Sequence, residues 1–389
     1  MTTAGIIAEY NPFHRGHAWH IVQTRQRLGP ECAVVCVMSG HWVQGADCAI
    51  ADKWTRSALA LDGGADLVLE LPTAWAMASA ERFARGAVGL LAATGVVDTL
   101  SFGSEDGCLE GLQQAADRLD SPEYPQALRQ ALEQGLSFPA ARQAAAGAAC
   151  LATPNNNLGV EYLRALRALK SPMAPLTVAR RGAGHNAGQA VEGFASATQV
   201  RRLLRAGKWE TAAPLVCPGA LTGLGEVSSL AYVERAILAR LRTMGEGEWA
   251  VCPDAGAAEG LPARLTRAAR QAVSLDEFYT SAKTKRYPHA RLRRLALSAF
   301  LGLTASGRPD APLYGRVLGL NRRGQALLKQ MKAHCSLPIL TKPAHARALD
   351  GPARALFEAE ARYTDLYGLC FAVPRPCGAE WTHSPVVRI

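Results

Sequence analysis

The stretch Gly5-Ile6-Ile7-Ala8-Glu9-Tyr10-Asn11-Pro12-Phe13-His14-Arg15-Gly16-His17 decides how the rest of the chain is read. It opens as an apolar run, Ala4 to Ala8, of the length of a buried strand. Asn11-Pro12 ends that run as a turn. A helical pattern follows from Ala18 to Leu28, with His14-x-Gly16-His17 at its head. A strand, a turn and two histidines at a helix N-terminus suit a polyphosphate, because first-turn N–H groups are unpaired and the helix dipole favours anions there. Gly16 lets a phosphate or base approach the backbone closely. His14 and His17 can donate to oxygens that gain charge during phosphoryl or nucleotidyl transfer.

Outward from this stretch, residues 31–39 read as a second buried strand ending at Ser39-Gly40. Residues 65–71 form a third, closed by Pro72, and residues 95–102 a fourth, leading into Gly103-Ser104-Glu105. Helical patterns over 51–61 and 79–94 separate them, and the first carries Lys53 and Arg56 on one face. Strands alternating with such helices predict a parallel α/β sheet. Ligands of such sheets sit beyond the carboxyl ends of the strands, where Glu9-Tyr10-Asn11, Ser39-Gly40, Glu70-Leu71-Pro72 and Gly103-Ser104-Glu105 gather.

Residues 106–150 read as an alanine-rich helical insertion, with Pro122, Pro125 and Pro139 at helix starts. In Pro154-Asn155-Asn156-Asn157 one asparagine serves as a helix cap, and the trio could also read an adenine edge or a ribose. A fifth strand, 176–179, runs into Arg180-Arg181-Gly182, a pattern that suits a phosphate clamp over a merely solvated loop. Ser196-Ala197-Thr198-Gln199-Val200-Arg201 opens another helix. Ser196 is a good cap, and hydroxyls in a first turn followed by an arginine make a second phosphate site. Two such helix heads can enclose one triphosphate.

At 389 residues, 49% hydrophobic and 20% charged, the chain fits a globular protein of about two domains. No basic region followed by an apolar stretch opens it, and the longest apolar run, 86–97, is too short for a bilayer. Ten cysteines without a C-x-x-C pair read as reduced thiols in a cytoplasmic protein. The net charge of +10 is uneven: residues 1–200 hold 15 Lys/Arg against 18 Asp/Glu, and residues 201–389 hold 28 against 15. A near-neutral half joined to a basic half places chemistry in the first and a polyanion, here nucleic acid, on the second.

The second half reads as helices over 227–243, 260–272, 274–282, 290–303 and 323–333, with a loop over 302–312 and an irregular tail from Pro374. Within it, Lys283, Lys285, Arg286, Arg291, Arg293 and Arg294 form a run of six cations without an acid. Tyr287 lies among them as a base-stacking platform for RNA. The alternative is a helix whose arginine stems pack on its neighbours.

The opening stretch resembles that of the bacterial tRNA(Met) cytidine acetate ligases, within the H-x-G-H nucleotidyltransferase superfamily. Further segments are similar along the chain: Val37-Met38-Ser39-Gly40-His41-Trp42-Val43-Gln44, Asp52-Lys53-Trp54-x-Arg56, Ser101-Phe102-Gly103-Ser104-Glu105, Pro154-Asn155-Asn156-x-Leu158-Gly159, Ser196-Ala197-Thr198-x-Val200-Arg201, Thr284-Lys285-Arg286-Tyr287 and Arg316-Val317-Leu318-Gly319. H-x-G-H alone is shared by several activities, but its combination with Glu9-Tyr10-Asn11-Pro12-Phe13 and Ser101-Phe102-Gly103-Ser104-Glu105 is specific.

The resemblance implies a Rossmann-like catalytic domain over 1–205 and a basic, mainly helical tRNA-binding domain over 206–389. It implies acetyl-adenylate formation from acetate and ATP, then acetylation of N4 of the wobble cytidine of elongator tRNA(Met). Carried across by motif, Ile7, Ala8, Glu9, Tyr10, Asn11, Pro12, Phe13, His14, Gly16, His17 and His20 line the ATP. Gly103, Asn155, Asn156 and Arg180 complete the nucleotide site, and Ser196, Thr198 and Arg201 match the second phosphate motif. Arg181 belongs to the arginine clamp read above. His14, His17 and Arg201 are expected to be catalytic, with Mg²⁺ bridging the phosphates. His14, His17 and His20 could instead hold a zinc ion, but no thiolate or carboxylate motif stands beside them. No membrane and no stable protein partner are expected.

The rivals are another H-x-G-H nucleotidyltransferase acting on a small molecule, and a non-catalytic, nucleotide-dependent RNA-binding protein. The chain departs from the family pattern in three places. The family's arginine after Gln44 is absent, its Tyr-His-Asp reads His185-Asn186-Ala187, and Asn157 stands where an isoleucine is usual.

Overall fold

The strand of the opening stretch, β1 (Thr3–Ala8), lies inside an eight-stranded sheet in the computed structural model, which describes residues 2–181, 194–256 and 260–389. Its companions are β2 (Ala33–Ser39), β5 (Leu67–Leu71), β6 (Thr99–Ser104), β7 (Ala174–Ala179), β8 (Gly315–Asn321), β9 (Ile339–Leu340) and β10 (Val386–Arg388). A separate hairpin pairs β3 (Trp42–Val43) with β4 (Asp47–Cys48). The main order is β10-β8-β5-β2-β1-β6-β7, with β9 beside β8. β1 pairs parallel with β2 and β6, β2 with β5, and β6 with β7. All of β2 and β5 is buried, as continuous apolar runs in a parallel sheet require. The parallel α/β fold expected from the strand-helix alternation is therefore present.

β8 and β10 lie beyond residue 206, yet they complete the same sheet, so the 206–389 segment is mainly helical without being separate from it. β8 runs antiparallel to β5. Asp66 fixes this return: its carboxylate accepts from Val34 N at 2.8 Å, Arg25 Nη2 at 2.8 Å and Asn321 Nδ2 at 2.8 Å. The tail expected to be irregular instead forms a helical turn, Ala379–Thr382, and β10. A 17-residue helix, Gly351–Tyr367, also went unread in the sequence. The helices Leu261–Gln271, Leu275–Ala282, His289–Leu301 and Arg322–His334 fall where expected. Among the described residues, no helix is long and apolar enough to cross a membrane.

Late and early parts of the chain are locked together by charges without solvent contact. Lys53 Nζ, 0% exposed, lies 2.6 Å from both Glu70 Oε1 and Glu380 Oε2. Arg316 Nε is 3.0 Å from Glu380 Oε1. Burial works against the Glu380 anion, but Lys53 and Arg316 outweigh it and hold that carboxyl below its ordinary range. Glu360, on Gly351–Tyr367, accepts from Thr73 N at 2.6 Å and Thr73 Oγ1 at 2.8 Å. Burial, and then Glu70, push the Glu360 carboxyl up to about 8 against the pull of Lys53 and Thr73. With Glu360 protonated, two cations face two carboxylates, and the cluster is neutral. Breaking such a cluster by removing one partner costs about 3–5 kcal/mol.

A carboxyl protonated in the fold but ionised in the unfolded chain favours folding at low pH. That contribution drains away as pH rises through the folded value. Glu360→Gln keeps a neutral group of the same shape. Between pH 6 and pH 8.5 the unmodified chain should lose on the order of 2 kcal/mol more than the variant. Thermal unfolding at the two pH values measures this, and equal losses would refute a protonated Glu360.

Candidate active site

β1 ends at Ala8, and Tyr10 turns the chain with a left-handed φ of +46°. Asn11-Pro12 is cis. His14 then caps the helix Arg15–Leu28. Its Nδ1 accepts from Gly16 N at 3.0 Å, and His17 Nδ1 accepts from His14 N at 3.2 Å. This is a reciprocal capping box built from two imidazoles. The rings stack at 3.8 Å, and Tyr10 packs edge-on against His17 at 4.9 Å.

The capping bonds decide the histidine chemistry. A nitrogen that accepts an N–H carries no proton, so each neutral ring holds its proton on Nε2. Burial, then Arg180 and Arg201, lower His14 to about 3. Burial, then His14 and Arg180, lower His17 well below its ordinary value. Among the described residues neither Nε2–H has a protein partner, and neither is sealed away as a buried unpaired atom. The corner thus offers two neutral N–H donors, and its positive charge comes from arginines. His20 differs: its Nε2 lies 2.9 Å from Ser101 Oγ, and burial followed by Arg180 lowers it to about 4.

The other expected nucleotide residues are placed as follows. Ile7, Ala8 and Glu9 are partly exposed, whereas Tyr10, Asn11, Pro12 and Phe13 are buried and back the corner. Asn11 Oδ1 accepts from Ile50 N at 2.7 Å, and its buried Nδ2 has no partner among the described residues. The helix Ala197–Arg205 starts beside this corner, capped by Ser196 Oγ accepting from Gln199 N at 3.2 Å. Arg201 spans the two helix heads, donating to Asn11 O at 2.7 Å and Thr198 Oγ1 at 3.2 Å. Arg180 leaves β7 against Gly103, where an added Cβ would meet its Cγ at 3.3 Å. Arg181 lies over the Trp19 ring at 5.2 Å. The stretch 182–193, with the His185-Asn186-Ala187 departure, lies outside the described residues.

Asn155 and Asn156 turn to Glu105, at the end of the Ser101–Glu105 motif. The Glu105 carboxylate accepts from Asn156 N at 2.8 Å and Asn155 Nδ2 at 2.8 Å, and Asn156 Oδ1 accepts from Glu105 N at 2.9 Å. A carboxylate on the first turn of Pro154–Ala168 is stabilised by that helix end. Glu105 therefore sets the position of this pair, a role its motif pointed to without stating. Asn157, a departure from the family pattern, accepts from Arg142 of the helical insertion.

The expected RNA run needs correcting at three positions. Tyr287 is 5% exposed and cannot stack on a base. Arg291 Nε donates to Asp254 O at 2.8 Å and Arg294 Nε to Asp254 Oδ2 at 3.2 Å, so both are engaged inside the fold. Lys283, Lys285, Arg286 and Arg293 remain exposed. Tyr287 sits in the turn before the helix His289–Leu301, where its N–H donates to Thr284 Oγ1 at 3.1 Å.

No group of three or more His, Cys, Asp or Glu that could hold a metal occurs among the described residues.

The chain matches the family model described as HIGH Nucleotidyl Transferase over residues 1–377. It is 34% identical over 418 residues to the tRNA(Met) cytidine acetate ligase of Acetivibrio thermocellus, covering 100% of both chains. It is 36% identical over 392 residues to that of Caldanaerobacter subterraneus, covering 95% of this chain and 96% of the other. The fold is similar to crystal structures of Thermotoga maritima TmcAL at 30% identity, covering 100% of this chain and 99% of that one. The TM-score is 0.89 for the form bound with alpha-thio ATP and 0.93 for the apo form.

Proposed function

The chain belongs to the HIGH nucleotidyl transferase family and, within it, to the ATP-dependent tRNA(Met) cytidine acetate ligases, and on that premise we propose how its residues divide the reaction. An acetate oxygen attacks the α-phosphorus of ATP, and pyrophosphate leaves. The N4 amine of the wobble cytidine of elongator tRNA(Met) then attacks the acetyl carbonyl. AMP leaves, and N4 gives up its proton to yield N4-acetylcytidine.

Neither step requires a protein nucleophile; both require placement and charge. The Nε2–H groups of His14 and His17 donate to phosphoryl oxygens, while Arg180 and Arg201 supply positive charge. Ser196 and Thr198 hold the second helix head around the phosphates, and Gly103 with the Asn155-Asn156 pair borders the nucleoside. Mg²⁺ bound with the nucleotide would supply further neutralisation of the phosphate charge. Residues 1–205 carry this chemistry, and the basic 206–389 segment binds tRNA through Lys283, Lys285, Arg286 and Arg293. Ten free thiols fit a reducing compartment, which we take as the cytoplasm.

The observation that carries this reading is the pair of histidines that turn Nδ1 to the backbone and leave Nε2 without a protein partner among the described residues, at a helix head that Arg201 joins to the next. Mass spectrometry of elongator tRNA(Met) after incubation with ATP and isotopically labelled acetate tests it. The wobble cytidine is expected to gain one labelled acetyl group. An unlabelled cytidine would reject this reading in favour of a nucleotidyltransferase acting on a small molecule.

A further inference from the structure

We propose that Arg56, buried beneath the histidine corner, is a positioning residue for the nucleotide. It holds the last carbonyls of β1 and β2 away from the phosphates and sets a positive charge below them that no carboxylate contacts directly. This inference rests on the ATP-binding role given above to that corner.

The guanidinium is 0% exposed. Its Nε donates to Ala51 O at 3.0 Å, and its Nη1 donates to Glu9 O at 2.6 Å and Ser39 O at 3.0 Å. Its Nη2 donates to Gly40 O. Among the described residues no carboxylate lies within ion-pair distance of it, in contrast to Lys53 and Arg316, which are matched by Glu70 and Glu380. Its hydrogen bonds go to carbonyl oxygens alone, and Asp52, Glu9 and Glu70 act on its charge only from a distance.

Those carbonyls stand where a polyanion has to approach. Ser39 is the last residue of β2, and Glu9 follows the last residue of β1. At the carboxyl end of a parallel sheet, terminal carbonyls present negative partial charge toward the ligand. Arg56 turns three of them into itself. Only Arg, with its forked set of donors, can bind carbonyls from three chain segments at once; a lysine ammonium is a single point. The Glu9 carbonyl also adjoins Tyr10, whose left-handed turn leads through Asn11 to His14. Releasing that carbonyl would loosen the corner as well as repel phosphate.

The test uses the full chain, with Arg56→Lys and Arg56→Met, binding of alpha-thio ATP by calorimetry, and the thermal midpoint as a control for folding. Arg56→Lys keeps the charge but not the fork, and is expected to weaken nucleotide binding about tenfold, the effect of one charge-assisted hydrogen bond. KM for ATP should rise in step, by more than kcat falls. Arg56→Met, with neither charge nor fork, is expected to weaken binding further. Two results would overturn the proposal: Arg56→Lys folds and binds alpha-thio ATP with unchanged affinity, or both variants fail to fold, which makes Arg56 a folding residue only. Failure of the unmodified chain to bind alpha-thio ATP would instead overturn the ATP-binding role of the corner itself.

Discussion

His17→Ala is expected to lower acetate-dependent pyrophosphate release about 10²–10³-fold, the effect of removing one preorganised donor to a developing phosphoryl charge. It is expected to leave tRNA binding unchanged. The ring has two jobs. Its Nδ1 closes the capping box on His14 N at 3.2 Å, and its Nε2–H is the proposed donor to the phosphates. Alanine removes both, along with the 3.8 Å stack that holds the His14 ring. His17→Asn separates them, since its amide can still accept at the cap but does not reach the Nε2 position. If the asparagine variant is as inactive as the alanine variant, the Nε2 donor rather than the cap is the essential element.

The direction of the histidine shifts adds a pH signature. A histidine whose folded value is depressed stays neutral as pH falls through the ordinary imidazole range. With His14 lowered to about 3 and His17 lowered well below its ordinary value, neither should protonate between pH 8 and pH 6. The adenylation rate should therefore not show an imidazole titration across that interval. A fall centred on the ordinary histidine value would mean that a ring there is protonated, contrary to the capping geometry. Loss of tRNA binding in His17→Ala would overturn the division between the two halves of the chain.

Arg286→Gln combined with Arg293→Gln is expected to weaken tRNA binding while leaving acetyl-adenylate formation intact. Both side chains are exposed, and Arg293 lies over the Tyr279 ring at 5.7 Å. A phosphate contact releases condensed counterions, so each lost contact lowers the slope of log affinity against log salt by about 0.7–0.9. The double variant should lose about 1.4–1.8 from that slope. Arg294→Gln is the contrast. Its guanidinium is engaged with Asp254, which also faces Arg308, so the substitution should cost folding stability and leave the salt slope unchanged. An unaltered slope in the Arg286 and Arg293 variant would place the tRNA elsewhere.

Much of the site was legible because its signals are local. A continuous apolar run with no alternation predicts a strand covered on both faces, and β1, β2 and β5 are that. Ser196 reads as a cap because its hydroxyl needs a donor only three residues on. His14-x-Gly16-His17 marks a helix head for the same reason.

The residues that went unread or misread depend on partners distant in sequence. Glu105 finds Asn155 and Asn156 some 50 residues later, and Asp254 reaches Arg294 across 40. Tyr287 carries no local mark that would distinguish a stacking platform from a core residue; that was settled by the packing of the turn before the helix His289–Leu301 into the core.

By itself the sequence determined the parallel strands, the order in which they alternate with helices, and the capped heads of the two helices proposed to bind phosphate. Each of these follows from side chains within a few residues of one another. The tertiary structure alone decided that β8 and β10 return to that sheet. It also decided that the histidines turn Nδ1 to the backbone and leave Nε2 for a ligand, and that the Arg56 guanidinium donates to the strand-end carbonyls. Those outcomes depend on burial and on which distant groups come to share one low-dielectric volume. Such volumes are formed by packing the whole chain, and no window of sequence contains them.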